Sequence, residues 1–403
     1  MFTSIKKTTA VLDIGSSKIV SMVVRPLDND FEIIGVGNVL SEGIKHGVIN
    51  DVKLARSAIA SAVYEAEKMS EQAIDKVIVN VSNSLTKSII ITIKTDFSGN
   101  QILPSDLKKL KEIAFKKIDL SKNEVLVYKI LKHDLDEMKD IIDPEFMFAN
   151  LLVSYIYIVT IPIKYLINIS SSLLGCQLKI SNFMISSEAS GISCLKESET
   201  TAGCVLIDIG GGNADYVVYK ERKIIEAGGV PLGGINITRD IAEYFSVTFE
   251  EAEKLKILHS GLKNVHPEEE KNVEIRATNG SALKQINKQM LNKVVMARVS
   301  EIIEFVMIRL REKKQHRACL SRIVLTGGTS KLNNLVPFIE EKYKISARIG
   351  IPNNAIIKNG FAEDPAFSTI LGLIKNSANK GKDYLGYETS KVKKALSWLK
   401  QNF

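Results

Sequence analysis

CVLIDIGGGNADYVVY (Cys204–Tyr219) gives the clearest fold signal of this sequence, and TAVLDIGSSKIVSMVV (Thr9–Val24) repeats its pattern. In each, an apolar run leads into Asp-Ile-Gly, a small polar turn follows, and a second run of alternating apolar residues begins. This pattern predicts two strands joined as a β-hairpin. Because the hairpin occurs once in each half of the chain, we predict an internal duplication with a cleft between two similar α/β domains.

The turn of each hairpin has the chemistry of a phosphate-binding loop. Glycine lacks a Cβ, so the backbone N–H groups of the turn can approach a phosphate closely. The aspartate ahead of each turn, Asp13 or Asp208, cannot bind phosphate directly, and its natural partner is a hydrated Mg²⁺. One such motif alone is more often an ordinary β-hairpin. Two copies favour a triphosphate held between two domains.

A third motif lies where a nucleotide site of this kind needs one. SRIVLTGGTSKLNNLVPFIEEKY (Ser321–Tyr343) predicts a strand, a Gly-Gly turn and a helix capped by Thr329 or Ser330. The Gly-Gly turn would let a nucleoside lie against the backbone. The three motifs together indicate a nucleotide-binding protein.

Composition limits the remaining possibilities. A chain of 403 residues is too long to fold around one hydrophobic core, so we expect two or more domains. Its 45% hydrophobic and 25% charged residues are typical of globular proteins. The net charge of +8 suits an anionic partner or solubility alone. The four cysteines lack metal-site spacing and predict reduced thiols. No apolar run precedes Asp13, so we expect no export signal. The uncharged segment Phe146–Ile163 predicts a buried strand in preference to a membrane span.

These motifs resemble the actin-like ATPase superfamily and, within it, the FtsA family of bacterial cell-division proteins. The resemblance runs from residue 11 to 403 and is carried by DIGSSK, EGIKHGVINDV, VLIDIGGGNADYVVY, GVPLGGINITRDIAEYF, AEKLKILHSG, IVLTGGTSKL and SWLKQNF. It implies an α/β, actin-like (ribonuclease H-like, duplicated) two-domain fold with an inserted α+β subdomain and a C-terminal amphipathic helix. ISSEASGISCL and FSTILGLIKN would be the two connecting segments between the domains.

The resemblance also implies domain limits. The first domain would comprise residues 1–83 and 164–200, and the inserted subdomain residues 84–163, with a helix capped by Ser105. The second domain would comprise residues 201–245 and 301–375, with a smaller nucleotide or partner subdomain at 246–300. A flexible linker at 376–390 would lead to a membrane-targeting helix at 391–403.

Site residues are implied position by position. The first phosphate loop would be Asp13, Gly15, Ser16, Ser17 and Lys18, and the second Asp208, Gly210, Gly211, Gly212 and Asn213. Gly327, Gly328 and Thr329 would face adenosine, and Glu253 and Lys256 would reach the ribose and the base edge. Alternatively, Glu253 and Lys256 form an ordinary solvated ion pair. Asp13, Asp208 and Glu188 would be catalytic, Asp13 and Asp208 holding Mg²⁺ through water. Arg239, Arg298 and Glu301 would contribute to partner docking.

Two departures from the family pattern concern hydrolysis. Asn213 stands where the second loop usually carries a threonine hydroxyl. Ser186 stands where actins have a glutamate or glutamine that positions the hydrolytic water, and Glu188 comes two residues later. A water molecule that no side chain orients attacks slowly. We therefore expect ATP binding with at most weak ATPase activity.

The tail SKVKKALSWLKQNF (Ser390–Phe403) holds the only tryptophan of the sequence. On a helix, Val392, Ala395, Leu396, Leu399 and Phe403 fall within an arc of about 100°. Lys393, Lys394 and Lys400 flank this face, and Trp398 lies toward its edge. Such a helix suits the headgroup layer of an anionic membrane, where indole rings are favoured. The alternative is a helix packed on the protein's own core.

The resemblance implies an ATP-binding, self-assembling adaptor on the cytoplasmic face of the inner membrane at the division septum. It would bind the C-terminal tail of the tubulin-like protein FtsZ, anionic lipids and other division proteins, but no nucleic acid. A sugar or carboxylate kinase of the same superfamily would have no use for the tail helix. A chaperone ATPase would need a further domain after Asn376. A pilus-assembly relative lacks the terminal helix.

Overall fold

The computed structural model describes residues 8–27, 31–82, 84–263, 272–276, 283–312, 319, 322–352, 357–358 and 363–378. Of the linker predicted at 376–390, residues 376–378 are described and are helical, whereas the remainder and the predicted tail helix at 391–403 lie outside these residues. All statements on structure below concern the described ranges.

The described chain consists of nineteen strands and ten α-helices. The strands are β1 Thr9–Ile14, β2 Lys18–Pro26, β3 Phe31–Leu40, β4 Ile44–Lys45, β5 Val48–Ile49, β6 Lys76–Val81, β7 Lys87–Asp96, β8 Asn123–Leu135, β9 Met138–Ile141, β10 Leu151–Pro162, β11 Lys179–Ile185, β12 Cys204–Ile209, β13 Ala214–Lys220, β14 Lys223–Val230, β15 Val273–Arg276, β16 Leu283–Ile286, β17 Arg322–Thr326, β18 Ser346–Ile349 and β19 Ile357–Lys358. The helices are α1 Val52–Ser70, α2 Pro104–Lys116, α3 Ile163–Gly175, α4 Ser186–Cys194, α5 Glu197–Ala202, α6 Gly234–Phe245, α7 Phe249–Lys254, α8 Lys288–Arg311, α9 Leu335–Tyr343 and α10 Ser368–Ala378.

The duplication predicted from the two hairpins is present in the sheet topology. The first sheet has the order β11-β6-β1-β2-β3-β19, and the second has the order β14-β13-β12-β17-β18. In each, an antiparallel meander (β1-β2-β3 or β12-β13-β14) is extended by two parallel strands beside its first strand (β6 and β11, or β17 and β18). The two predicted hairpins, β1-β2 and β12-β13, therefore occupy equivalent places in the two domains.

The central strand of the second sheet shows why its sequence is continuously apolar. All six residues of β12 are buried, because helices and neighbouring elements cover both faces of the sheet. Val205 and Ile207 belong to the core that includes residues of α6, α8 and α9, whereas Leu206 belongs to the core on the opposite face. The aspartate that ends this apolar run is thereby held at the edge of a rigid element.

In the first domain, the sheet is covered on both faces. Helix α1 presents a stripe of buried small and branched residues, Ala55, Ala58, Ile59, Ala62 and Ala66, at helical spacing. This stripe and residues of α3 form one core with the sheet. Residues of α10 lie in the core on the other face. The predicted connecting segments form α4 and α10, which pack against each other.

The segment between β6 and α3 forms a sheet of its own. Its four antiparallel strands have the order β7-β10-β8-β9, and α2 packs in the core of this sheet. β10 confirms the buried strand predicted within Phe146–Ile163. Ser105 is not the cap of α2, because the helix begins at Pro104, and the Asp106 carboxylate accepts from the backbone N–H of Leu103 (3.1 Å).

None of the described helices combines the length and the apolar character needed to span a bilayer.

Candidate functional site

The two predicted aspartates lie at equivalent ends of β1 and β12 and face each other closely enough to interact electrostatically. Asp13 Oδ1 accepts a hydrogen bond from Asn80 Nδ2 at 2.6 Å, and Asn80 is buried on β6. Burial raises the pKa of Asp13 to about 7; Lys18 opposes this shift and Asp208 adds to it. Holding this carboxylate ionised is therefore unfavourable in the absence of an added cation.

Asp208 is held by the two connecting helices. Its Oδ2 accepts hydrogen bonds from Ser190 Oγ on α4 (2.5 Å) and Thr369 Oγ1 on α10 (3.0 Å). Burial raises its pKa, while these two hydrogen bonds and the nearby Lys18 oppose the shift. One oxygen of each carboxylate, Asp13 Oδ2 and Asp208 Oδ1, accepts no hydrogen bond from the described protein groups.

A third carboxylate, for which no role was predicted from the sequence, belongs to this cluster. Asp215 on β13 pairs in register with Asp208 on β12. Burial raises its pKa to about 7; a hydrogen bond from Ser82 opposes this, and Asp208 and Asp13 add to it. The available signal was a charged residue inside the otherwise apolar run of the second hairpin strand.

The two predicted phosphate loops touch each other across the cleft. A Cβ on Gly211 would lie 2.7 Å from Ser17 Cβ, so this close approach requires glycine. The second loop is also docked on the start of α6, where the N–H groups of Gly234 and Ile235 donate to the carbonyls of Gly210 (2.9 Å) and Gly211 (2.8 Å). The relative position of the loops is therefore set by tertiary contacts.

The tips of both loops present backbone N–H groups that the described protein leaves unused, although the N–H groups of Gly15 and Gly210 donate to the carbonyls of Lys18 (3.1 Å) and Asn213 (2.9 Å). Among the described residues, no acceptor is found for the N–H groups of Ser16, Ser17 and Gly211–Asn213. Asn213 Oδ1 is likewise buried without a hydrogen-bond partner, whereas Asn213 Nδ2 donates to Ser82. Grouped N–H donors of this kind form a cradle for an anion.

Lys18, which begins β2, lies beside the carboxylates. Its Nζ is 3.5 Å from the ring centroid of Phe367, just before α10. Burial lowers the pKa of Lys18, and Asp13 is the strongest opposing influence. The ammonium group is thus positioned by a cation–π contact and by the carboxylate cluster.

Three of the residues predicted to contact the nucleoside, Glu253, Lys256 and Thr329, meet near the start of α6. Lys256, in the single π-helical turn Leu255–His259, donates to Glu253 Oε2 (2.7 Å) and to the carbonyl of Gly234 (3.2 Å). Thr329 Oγ1 donates to the carbonyl of Gly210 in the second phosphate loop (3.1 Å). Burial lowers the pKa of Lys256, with Glu253 opposing. Glu253 and Lys256 form a half-buried ion pair beside the phosphate loop.

The Gly-Gly turn after β17 differs from the prediction in one respect. Gly327 adopts φ +85°, and Gly328–Lys331 form a short 3₁₀ turn. Helix α9 begins only at Leu335, preceded by Asn334, so Thr329 and Ser330 do not cap it. Instead, the Ser330 hydroxyl closes the turn on the carbonyl of Gly327 (2.7 Å). The turn is stabilised locally and leaves Thr329 to contact the second phosphate loop.

Glu188, which was predicted to be catalytic, does not lie with the carboxylates of the cleft. It is buried and accepts a hydrogen bond from Tyr157 of β10 at 3.1 Å. Ser186 and Ser190, four residues apart on α4, contact Asn80 (3.1 Å) and Asp208, which places both on the cleft side of the helix. Glu188 lies midway between them in sequence and hence on the opposite side.

Of the residues predicted to bind a partner, Arg298 and Glu301 form a network on α8. The Arg298 guanidinium binds the carboxylate of Asp240 on α6 (2.5 and 2.9 Å) and also contacts Glu301. Arg239 is exposed on α6. The membrane-binding residues predicted in the tail, from Val392 to Phe403, lie outside the described residues.

Comparison with solved structures places the fold in a known class. The chain matches a chain of the PilM–PilN type IV pilus biogenesis complex with a TM-score of 0.64 and 16% identity, covering 92% of this chain and 98% of that one. It matches MreB5 of Spiroplasma citri bound to ADP with a TM-score of 0.54 and 14% identity, covering 93% and 99%. The protein has the fold of the actin-like ATPase superfamily.

Sequence comparison identifies the family within this class. The family model for cell division protein FtsA matches residues 205–372. The chain is 30% identical to the cell division protein FtsA of Rhizobium meliloti over 417 residues, covering 98% of this chain and 94% of the relative. It is 26% identical to that of Escherichia coli over 416 residues, covering 99% of both. The chain belongs to the FtsA family of cell division proteins.

Proposed function

We propose that the chain binds a magnesium–ATP complex between its two phosphate loops. The observation that carries this proposal is the convergence, at one cleft, of two loops with unused backbone N–H donors and two carboxylates, Asp13 half-buried and Asp208 buried, with an unused oxygen each. The N–H groups would bind phosphate oxygens, and Lys18 would add a positive charge beside them. ATP is the nucleotide expected from the family.

Magnesium fits the donor set through water. Among the described residues, no group of three or more His, Cys, Asp or Glu side chains is arranged to hold a metal ion. Asp13 and Asp208 would instead accept hydrogen bonds from water molecules of a hydrated Mg²⁺, each through its unused carboxylate oxygen. The ion would neutralise phosphate charge and offset the unfavourable burial of the carboxylates.

The adenosine would lie on the second-domain side of the cleft. Lys256 and Glu253 are held beside the start of α6 and within one hydrogen-bond network with it, and Thr329 contacts the second loop from the Gly327–Gly328 turn. Ser186 occupies the cleft side of α4 with a hydroxyl in place of a longer polar side chain, which favours slow hydrolysis. We therefore assign nucleotide binding, and not rapid turnover, as the main activity.

Titration of a fluorescent ATP analogue in the presence of Mg²⁺ tests the site. Asp208→Ala removes a carboxylate, and Gly211→Asp places a charged side chain against Ser17. Each should lower affinity at least tenfold. Asp75→Ala, an exposed carboxylate next to β6, is the control and should bind as the wild type does. Unchanged affinity in both site variants would rule out the site.

We further propose that the face of α6 and α8 around Arg298 binds the C-terminal tail of FtsZ. Glu301, Phe305 and Ile308 follow one another at helical spacing on α8, and Phe305 (44%) and Ile308 (54%) are exposed. Tyr244 on α6, four residues after Asp240, is also 54% exposed. Charged groups beside apolar side chains that protrude are typical of a peptide-binding surface.

Fluorescence anisotropy with a peptide of the FtsZ tail tests this surface. Phe305→Ala should lower peptide affinity at least fivefold because it removes a central apolar contact. Glu341→Ala, exposed on α9, is the control variant. If Phe305→Ala binds the peptide as tightly as the control, the tail docks elsewhere.

The tail helix would attach this body to the cytoplasmic face of the inner membrane. Each tail would bind weakly, since a segment this short is marginally helical alone, and self-association would strengthen attachment by presenting many tails.

Co-sedimentation with anionic vesicles should fall sharply in the double variant Trp398→Glu/Leu399→Glu and persist in the control variant Gln401→Ala. Loss of septal fluorescence after deletion of residues 391–403 would support the role in cells, whereas normal septal localisation would refute it.

A further inference from the structure

A small hairpin of the first domain reaches both phosphate loops. Strands β4 and β5 are joined by the turn His46–Gly47, and both turn residues have positive φ (49° and 71°). The hairpin is supported from behind by Tyr165 of α3, whose hydroxyl donates to the carbonyl of Gly47 at 2.6 Å. We call the segment Ile44–Ile49 the clasp hairpin.

The clasp hairpin contacts the first loop through its backbone. The N–H of Gly47 donates to Ser16 Oγ at 2.9 Å. A Cβ on Gly47 would lie 2.7 Å from Asn213 Nδ2, so glycine is needed for this approach as well as for the positive φ. The Ser16 hydroxyl is thereby bound to a segment that also adjoins the second loop.

The contact with the second loop is made by a side chain. His46 Nδ1 lies 2.8 Å from the carbonyl oxygen of Gly212. A carbonyl oxygen can only accept, so Nδ1 must carry the proton in this hydrogen bond. Ser82, at the end of β6, strengthens the same junction, since its hydroxyl donates to Asp215 and it accepts from Asn213 Nδ2 at 3.2 Å.

The His46 hydrogen bond has a consequence for the anion cradle. In a trans peptide unit the C=O and N–H groups point in opposite directions. The carbonyl of Gly212 and the N–H of Asn213 belong to the same peptide unit. Because His46 holds this carbonyl toward the clasp hairpin, the N–H of Asn213 points away from the hairpin. That N–H is one of the loop donors for which the described protein supplies no acceptor.

We propose that His46 is a positioning residue for the second phosphate loop and that the clasp hairpin slows the release of bound nucleotide. The hairpin bridges Ser16 of one loop and Gly212 of the other, so the cleft cannot open between the loops without breaking one of these hydrogen bonds. The ligand class is a nucleoside triphosphate with its divalent cation. This inference rests on the nucleotide-binding function proposed above.

The test measures the release of a Mg²⁺-bound fluorescent ATP analogue from the full chain after mixing with excess unlabelled ATP. His46→Gly accepts the positive φ without strain but has no donor. His46→Asn also tolerates positive φ, and its Nδ2 restores a donor near the position of Nδ1. Lys45→Ala, exposed on the same hairpin, is the matched control. Thermal unfolding midpoints of all variants are compared in parallel.

We expect release to be three- to tenfold faster in His46→Gly, within twofold of wild type in His46→Asn, and unchanged in Lys45→Ala. Association rates should remain within twofold of wild type, and unfolding midpoints within about two degrees. A general loss of structure would change both. Equal release rates for His46→Gly and His46→Asn would overturn the positioning role. If the wild-type chain bound no analogue, nucleotide binding itself would be refuted. If the wild-type chain bound the analogue and His46→Gly released it at the wild-type rate, only the role of His46 and the clasp hairpin would be refuted.

Discussion

Asp13 is held in the folded chain at an electrostatic cost that an asparagine would remove. The Asp13→Asn side chain has the same shape, and its Oδ1 can still accept from Asn80 Nδ2. It cannot be ionised, so it does not repel Asp208 and is less penalised by burial. We predict that this substitution stabilises the fold and, at the same time, weakens Mg²⁺-dependent nucleotide binding.

The size of this stabilisation and its pH dependence follow from the pKa of Asp13. The pKa of about 7 in the folded chain lies above the ordinary aspartate value of 3.8, so the folded chain binds the extra proton between these two pH values. The free energy of unfolding of the wild type therefore falls as pH rises through this window, and the loss is complete above pH 7. At about 1.4 kcal/mol for each unit, the full cost is about 4 kcal/mol. The gain in Asp13→Asn should grow from about 1–2 kcal/mol at pH 5 to about 4 kcal/mol at pH 8.

Urea unfolding followed by circular dichroism at pH 5 and pH 8 measures this gain. Asp75→Asn, which removes an exposed carboxylate near the same sheet, controls for the change in net charge. Nucleotide titration at pH 8 supplies the opposing readout, with affinity at least tenfold below wild type. A gain that is equal at the two pH values, or a variant less stable than wild type at both, would contradict the reasoning.

Two further substitutions test contacts around the site, and a third tests the ion pair between Arg348 of β18 and Glu199 of α5. Thr329→Val loses the hydrogen bond to Gly210, and we expect nucleotide affinity to fall three- to tenfold in a titration, with the unfolding midpoint kept. Lys256→Met leaves Glu253 without its ion-pair partner, and calorimetry should show weaker nucleotide binding, whereas unchanged binding would assign the pair a structural role. Arg348→Met leaves the buried Glu199 without its two charged hydrogen bonds and should lower the free energy of unfolding by about 1–3 kcal/mol, less so for Arg348→Lys.

Elements with local signals could be predicted from the amino-acid sequence. The two hairpins, the Gly-Gly turn after β17, the buried strand β10 and the helical connecting segments could all be recognised, because apolar periodicity and glycine placement act within a few residues. Repetition of the hairpin also predicted the duplicated architecture. The family resemblance extended this to the class of protein.

Which side chains meet at the cleft depends on how the elements pack in three dimensions. Glu188 was predicted to be catalytic, but the helical phase of α4 turns it toward Tyr157 and turns Ser190 toward Asp208. Asp215 joins the carboxylate cluster because β13 pairs in register with β12. His46 reaches Gly212 from 166 residues away in sequence. Such contacts depend on the packing of whole elements, and no local pattern of residues encodes that packing.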